Sequence, residues 1–386
     1  MSTRKAPLDD VRVVELGVGL ATPLAGRLLG DIGAEVIKVE TPEGDPTRSE
    51  APYYRTDDGE ERGALFEYLN YNKWGVSLDP GTDRGVLDDL LSTADILLIG
   101  DDIGQLATWG IDVASLHEAH PGLVIETLTP FGITGPKAHW KATDLVLQAA
   151  GGLLSFSGNA ERSPLKRGLR QSTFQAGLTG AYVAEAALLG ARQHRGTVID
   201  ISMAECVASE LVMTIPEYTF LGAVSTRRPG VVDPLSGDPL PAGSGYVSAQ
   251  VNSLTPISVF ADFIGDQRLA EPQYETSEGR ATRAAAVGEI FRSALENEQP
   301  REFFERASAQ GLLAGFVQTA DQLLECPHLG AREVFRVMPG TLDGRPWRMP
   351  ATLASLSHTG TTVRREAPQV GEHNEEFVSR PKAGVL

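Results

Sequence analysis

The sequence predicts an α/β protein built on a parallel sheet, and three observations carry that expectation. Apolar runs and amphipathic segments alternate in β-α-β order from the N-terminus, the helix-then-strand pattern repeats further on, and the composition is turn-rich. The last point rests on 41 Gly and 24 Pro in 386 residues, with 41% hydrophobic and only 6% aromatic residues. A chain of this length suits one large domain plus a smaller one.

Val11 to Leu16 reads as a buried strand, Pro23 to Asp31 as a helix and Glu35 to Glu40 as a second strand. Leu87 to Leu91 followed by Asp95 to Ile99 repeats the pattern, and Leu123 to Leu128 adds a strand ahead of the Gly-Pro loop Gly132 to Pro136. A Rossmann-like, doubly wound large domain follows from that order. Asp144 to Leu154 and Thr173 to Arg192 have helical apolar spacing, the second rich in Ala and Gly as close helix packing requires. Val198 to Ser202 returns to a strand.

Pro229 to Gly245 contains four Gly and four Pro and reads as a linker or loop. Beyond it, a strand at Gly245 to Val251 and helices at Pro256 to Ile264, Ala281 to Glu296 and Pro300 to Gln310 make a small α+β domain. The expected division is a large domain over 1–205, a linker over 206–240, a small domain over 241–335 and a tail over 336–386 returning to the large domain.

Charge and motifs exclude several functions. The formal net charge of -17 repels phosphate and argues against nucleic-acid or anionic-membrane partners. Two cysteines without a CxxC pair, Cys206 and Cys326, indicate neither a disulfide framework nor structural zinc. The N-terminus lacks the apolar core of a signal peptide and no run approaches the roughly 18 apolar residues of a membrane helix, which places the chain in the cytoplasm. Gly17-Val-Gly19 has no third glycine at dinucleotide-fingerprint spacing, and neither a nucleophile elbow nor a phosphate-binding P-loop occurs. His117 and His120 lack a third ligand, so no metal site is expected.

Longer motifs are more specific. Leu8 to Leu16, the run Ala21 to Glu40, and Gly44-Asp-Pro-Thr-Arg48 resemble the opening of the family III CoA-transferases, which include formyl-CoA transferase, carnitine CoA-transferase and α-methylacyl-CoA racemase. The resemblance continues through Asn70 to Asp79, Ala94 to Leu98, Phe131-Gly-Ile-Thr-Gly-Pro136, Asp144 to Gly152, Arg195 to Met203, Gly311 to Thr319 and Gly371-Glu-His373, across the chain. It implies a doubly wound large domain, a small domain placed late and two subunits interlocked like chain links. It implies acyl-CoA and a carboxylic acid as substrates, with no permanently bound cofactor. In this family an aspartate attacks the acyl thioester, and a mixed anhydride and an enzyme-CoA thioester follow.

By the same resemblance the nucleophile falls at position 173, and this chain has Thr173 there, within Gln171-Ser-Thr-Phe-Gln-Ala-Gly177. A neutral hydroxyl cannot form that anhydride, and no Asp or Glu lies between Glu161 and Glu185. The racemase proton pair is absent too, since its two positions read Thr143 and Thr173. The segment that cradles CoA in the family reads Gly100-Asp-Asp-Ile-Gly here, and Asp101 and Asp102 would repel phosphate. CoA contacts are carried over to Gly19, Leu20, Ala21, Leu78 and Lys141; the family's Gly-rich loop over the nucleophile is not evident, with Gly243-Ser-Gly245 as a short candidate.

Asp144 reads either as a helix N-cap or as a catalytic carboxylate. Lys141 is a surface charge or a phosphate contact; Lys166, Arg167 and Arg170 are solvated or receive a CoA phosphate or substrate carboxylate. The expected protein is therefore the supporting subunit of a heteromeric CoA-transferase, paired with a homologous chain that carries the aspartate. The alternatives are an acyl-CoA hydratase, isomerase or lyase using Asp144, and a homodimeric transferase with a displaced nucleophile.

Overall fold

The computed structural model describes residues 6–100, 103–192, 195–227, 233–235, 239–251, 255–342, 344–351, 354–357 and 363–378. The chain divides into two compact units, one comprising 1–154, 166–224 and 330–386, the other 155–165 and 225–329.

The first unit holds six parallel strands: β1 (Arg12–Glu15), β2 (Glu35–Glu40), β3 (Lys73–Ser77), β4 (Ile96–Gly100), β5 (Val124–Thr129) and β6 (Val198–Ser202). Their order across the sheet is β3-β2-β1-β4-β5-β6, all pairs parallel. That is the order of doubly wound dinucleotide-binding folds, with its direction reversing between β1 and β4. Alternation along each strand serves two faces. Val14, Ile37, Val76, Leu97 and Ile125 pack with Leu87, Leu90 and Leu116 on one side. Val13, Val36, Leu98 and Val124 pack with Ala25, Leu29, Ala184 and Leu188 on the other.

The second face is covered by helices Ala21–Asp31 and Gln171–Ala191, which approach closely because glycine stands where they touch. A Cβ on Gly177 would lie 2.7 Å from the Ala21 carbonyl oxygen, and one on Gly180 would lie 2.7 Å from Glu126 Oε1. The tail returns to this unit. Strands Phe335–Leu342 and Arg345–Pro350 join Tyr53–Arg55 and Glu61–Gly63 in a four-stranded antiparallel sheet, and His373 Nδ1 accepts the Gly75 N–H of β3 at 3.0 Å.

The second unit has a three-stranded antiparallel sheet (Leu240–Ala242, Gly245–Gln250 and Leu313–Phe316) around a core that includes Val247, Phe260, Phe291 and Phe303. The helix expected over Ala281 to Glu296 is two, Ser277–Thr282 and Ala284–Leu295, because Thr276 caps a separate first turn by accepting the Gly279 N–H. The expected linker region contains helix Thr214–Leu221 and most of helix Met203–Ser209, while 228–232 and 236–238 lie outside the described residues. No described helix is long and apolar enough to cross a membrane.

Candidate active site

The point where the strand order reverses sets the site, because the loops leaving the carboxyl ends of β1 and its neighbours diverge there and open a crevice. A cavity of about 610 Å³ occupies it, lined by Val18, Gly19 and Leu20 after β1, Thr47 and Glu50 after β2, Pro130 after β5 and Met203 after β6. The remaining wall is the start of helix Asp144–Ala150 and the segment Lys166 to Thr173 that opens helix Gln171–Ala191. Gly17 lets the β1 loop turn tightly, since a Cβ there would fall 2.2 Å from Thr22 Cγ2; Gly19 has φ of 76°.

Asp144 is the buried carboxylate of the cavity, and its three-way bonding ties two helix starts together. Oδ1 accepts the Ser172 N–H at 2.9 Å; Oδ2 accepts Gln148 Nε2 at 2.7 Å and pairs with Lys166 Nζ at 3.0 Å. Gln148 Oε1 in turn accepts the Arg167 N–H at 2.9 Å. Asp144 is the first residue of its own helix, following Thr143, and the backbone N–H it satisfies belongs to the next helix, 28 residues on. Lys166 also donates to the carbonyls of Arg167, at 2.9 Å, and Leu169. Arg170 pairs with Glu50 at 2.5 Å, and Thr173, half-buried, faces the same space.

The β1 wall is held by a row of fully buried charges. Lys38 Nζ bonds Glu15 Oε1 at 3.2 Å, the Gly17 carbonyl at 2.9 Å and Asp45 Oδ2 at 3.0 Å. Lys73 Nζ bonds Glu15 Oε2 at 2.7 Å, the Pro23 carbonyl at 2.8 Å and Asn70 Oδ1 at 2.9 Å. Asp45 Oδ1 accepts the Thr47 N–H at 2.8 Å and the Gly19 N–H at 3.4 Å, so the row ends on two residues that line the cavity. Burial by itself lowers the Lys38 ammonium, but Asp45, Glu15 and Glu40 together raise it above the ordinary lysine value. Burial, with Lys38 nearby, takes Lys73 down to about 8 against the pull of Glu15.

Of the residues singled out in the sequence, Gly19, Leu20, Asp144 and Thr173 line the cavity together. Ala21 is buried as the first residue of its helix, Leu78 lies in the sheet core, and Lys141 is exposed; none of the three lines the cavity. The basic cluster divides: Lys166 and Arg170 line the cavity, whereas Arg167 pairs with Glu210 at 2.7 Å. Gly243 and Ser244 form the turn between strands Leu240–Ala242 and Gly245–Gln250 of the second unit. Asp101 and Asp102 lie outside the described residues. Sequence reasoning missed Glu50, Lys38 and Lys73. For Lys38, a cation inside an otherwise strand-like run was the available signal; Lys73 offered none, because its run does not read as a strand.

A doubly wound sheet with its cavity at the strand reversal, walled by glycine-bearing turns and a buried carboxylate, is the arrangement at which α/β proteins of this class place their ligand site. The sequence profile of CoA-transferase family III matches residues 8–374, and the chain belongs to that family. It is 30% identical to succinyl-CoA–D-citramalate CoA-transferase of Chloroflexus aurantiacus, over 96% of this chain and 93% of that one. It is 28% identical to succinate–glutarate CoA-transferase of Agrobacterium fabrum, over 98% and 96%. A further relative, 26% identical over 98% of this chain and 94% of its own length, is the β subunit of succinyl-CoA–L-malate CoA-transferase of Chloroflexus aurantiacus. The crystal structure of a CAIB/BAIF family protein from Brucella suis superposes with a TM-score of 0.85 at 26% identity, over 97% of this chain and 99% of that one. The protein is thus a family III CoA-transferase, a class that moves CoA between carboxylic acids and uses acyl-CoA as substrate without a bound cofactor.

Proposed function

We propose that this chain is the supporting subunit of a heteromeric CoA-transferase, in which a homologous partner carries the nucleophilic aspartate. The observation that carries the reading is Thr173, which faces the cavity at the position the family resemblance assigns to that aspartate. A threonine hydroxyl has no resting charge, and an alcohol acylated by a thioester gives an ester, not the anhydride from which CoA can be recaptured. The acyl thioester enters the cavity between the β1 loop and the Lys166 to Thr173 segment. Two features support a subunit role. One relative is itself named as a β subunit. In addition, Val212, Met213, Ile215, Tyr218, Phe220, Leu221 and Val224 all expose apolar side chains within one stretch, which suits the face of an interlocked pair.

The test is chemical trapping. The purified chain, incubated with succinyl-CoA and hydroxylamine, is expected to gain no modification. A stoichiometric CoA adduct or hydroxamate on any of its carboxylates would sink the proposal.

One observation favours a second reading, a transferase whose nucleophile has moved to Asp144: that carboxylate lines the same cavity. Against it, both oxygens are already engaged by Ser172, Gln148 and Lys166, which is the bonding of a positioning group rather than of a free nucleophile. A trapped adduct mapping to Asp144 would decide for it.

A further inference from the structure

We propose that Arg170 makes the cavity selective for acyl groups bearing a second, distal carboxylate; this rests on the reading that acyl-CoA enters that cavity. Much of the wall is apolar, including Val18, Leu20, Pro130, Leu147 and Met203, so the few charged side chains decide which polar group an acyl chain can carry into it. Four charged residues line it, Glu50, Asp144, Lys166 and Arg170, and the two cations are not equivalent.

Lys166 has no donor to spare. An ammonium offers three N–H groups, and Lys166 faces three acceptors: Asp144, the Arg167 carbonyl and the Leu169 carbonyl. Arg170 offers five in a planar fork, and among the described residues its side chain makes one hydrogen bond, from Nη2 to Glu50 Oε2 at 2.5 Å. Nη2 carries one hydrogen on each two-point edge of the guanidinium, Nε with Nη2 and Nη1 with Nη2, so the Glu50 bond occupies one edge and the other remains for a second carboxylate. Glu50 holds the group at the cavity without consuming it, and both side chains are partly exposed, so a ligand reaches the pair.

Arg170 also stands at the right depth. It is the cap residue of helix Gln171–Ala191, one turn before Thr173, and both side chains line the same cavity, so a ligand reaching toward the hydroxyl passes the guanidinium. Its side chain makes no capping hydrogen bond, which leaves the helix start independent of what replaces it. An acyl group of dicarboxylate type fits this order, with its thioester toward Thr173 and its free acid on the guanidinium. A monoacid of equal length leaves the fork unmatched.

The test compares two ligands that differ only at the far end of a four-carbon chain, succinyl-CoA and butyryl-CoA, titrated calorimetrically into the full-length protein. Wild type is expected to bind succinyl-CoA at least about tenfold more tightly, the worth of one charge-assisted contact. Arg170→Gln is expected to erase that preference while leaving butyryl-CoA affinity within about twofold, and Arg170→Lys, which keeps charge without the fork, to fall between them. Retained butyryl-CoA binding reports that the variant is folded and its cavity intact. Equal binding of both ligands by wild type, or a parallel loss of both in Arg170→Gln, overturns the assignment while leaving acyl-CoA binding in place. Absence of binding by either acyl-CoA overturns the assignment together with the reading on which it rests.

Discussion

The carboxylate of Asp144 accepts the backbone N–H of Ser172 at 2.9 Å, so the first turn of one helix is capped by the first residue of another. Because Thr173 is the next residue, Asp144 sets where that side chain stands in the cavity without itself needing to react.

Asp144→Asn is therefore expected to act mildly. The amide oxygen still accepts from Ser172, the pairing with Lys166 is weakened, and the loss of stability is about 0.5 to 2 kcal/mol, as for other caps. In the reconstituted heteromer turnover should fall less than about tenfold, whereas Asp→Asn at the partner's nucleophile position should abolish it. Thermal melts alongside kcat separate unfolding from chemistry. Loss of all turnover from Asp144→Asn alone would transfer the catalytic role to this carboxylate.

Glu126 on β5 gives a pH signature. It is wholly buried, neither oxygen has a hydrogen-bond partner among the described residues, and burial raises its pKa well above the usual carboxylate value. The folded state therefore binds the proton that the unfolded state releases near pH 4.3. The sign follows: this contribution is complete below about pH 4.3 and is lost as pH rises toward the folded value, by at most about 1.4 kcal/mol per pH unit. Glu126→Gln should match wild type near pH 4 and melt at a higher temperature at pH 8. Parallel Tm-against-pH curves for the two proteins would refute this.

The contact between helices Ala21–Asp31 and Gln171–Ala191 predicts opposite outcomes for one substitution at two sites. Gly177→Ala would place a methyl 2.7 Å from the Ala21 carbonyl oxygen and 3.0 Å from Leu24 Cβ. Overpacking of about 1 to 3 kcal/mol then outweighs the roughly 1 kcal/mol gained in helix propensity. Gly190→Ala, in the same helix with nothing within 4 Å of the added Cβ, should stabilise. Chemical denaturation of both variants checks the pair.

If the exposed apolar stretch from Val212 to Val224 lies in an interlocked interface, dilution to nanomolar concentration should release no monomer. Analytical ultracentrifugation with fluorescence detection would show it. Rapid reversible dissociation would argue against threading.

Much of the fold was legible because its information is local. The apolar runs at Val13, Ile37, Leu97 and Ile125 announce buried strands, and their β-α-β order implies parallel pairing. Strand β3 was not legible, since Lys73, Trp74 and Gly75 do not resemble a sheet interior. What makes Lys73 tolerable there is Glu15, 58 residues away, and only the fold brings the two together. Asp144 shows the same limit. That it starts a helix can be read from its neighbours, but its commitment to Ser172 cannot, because the acceptor and donor belong to separate elements. Leu78 illustrates the converse: the family resemblance assigned it a CoA contact, and the side chain packs inward with Val76 and Leu16.

The row from Lys73 through Glu15 and Lys38 to Asp45 ends on Gly19 and Thr47, and all four of these charges are shut away from solvent. Mobile ions screen exposed charges within about 10 Å at 0.1 M salt but screen buried pairs far less. The β1 side of the cavity is thus set by forces that ionic strength barely tunes, and its shape is fixed when the chain folds rather than when a ligand arrives. Little ordering entropy is left for the ligand to supply on that side, and the adjustable part of the site is the opposite wall, where Arg170 and Glu50 meet water.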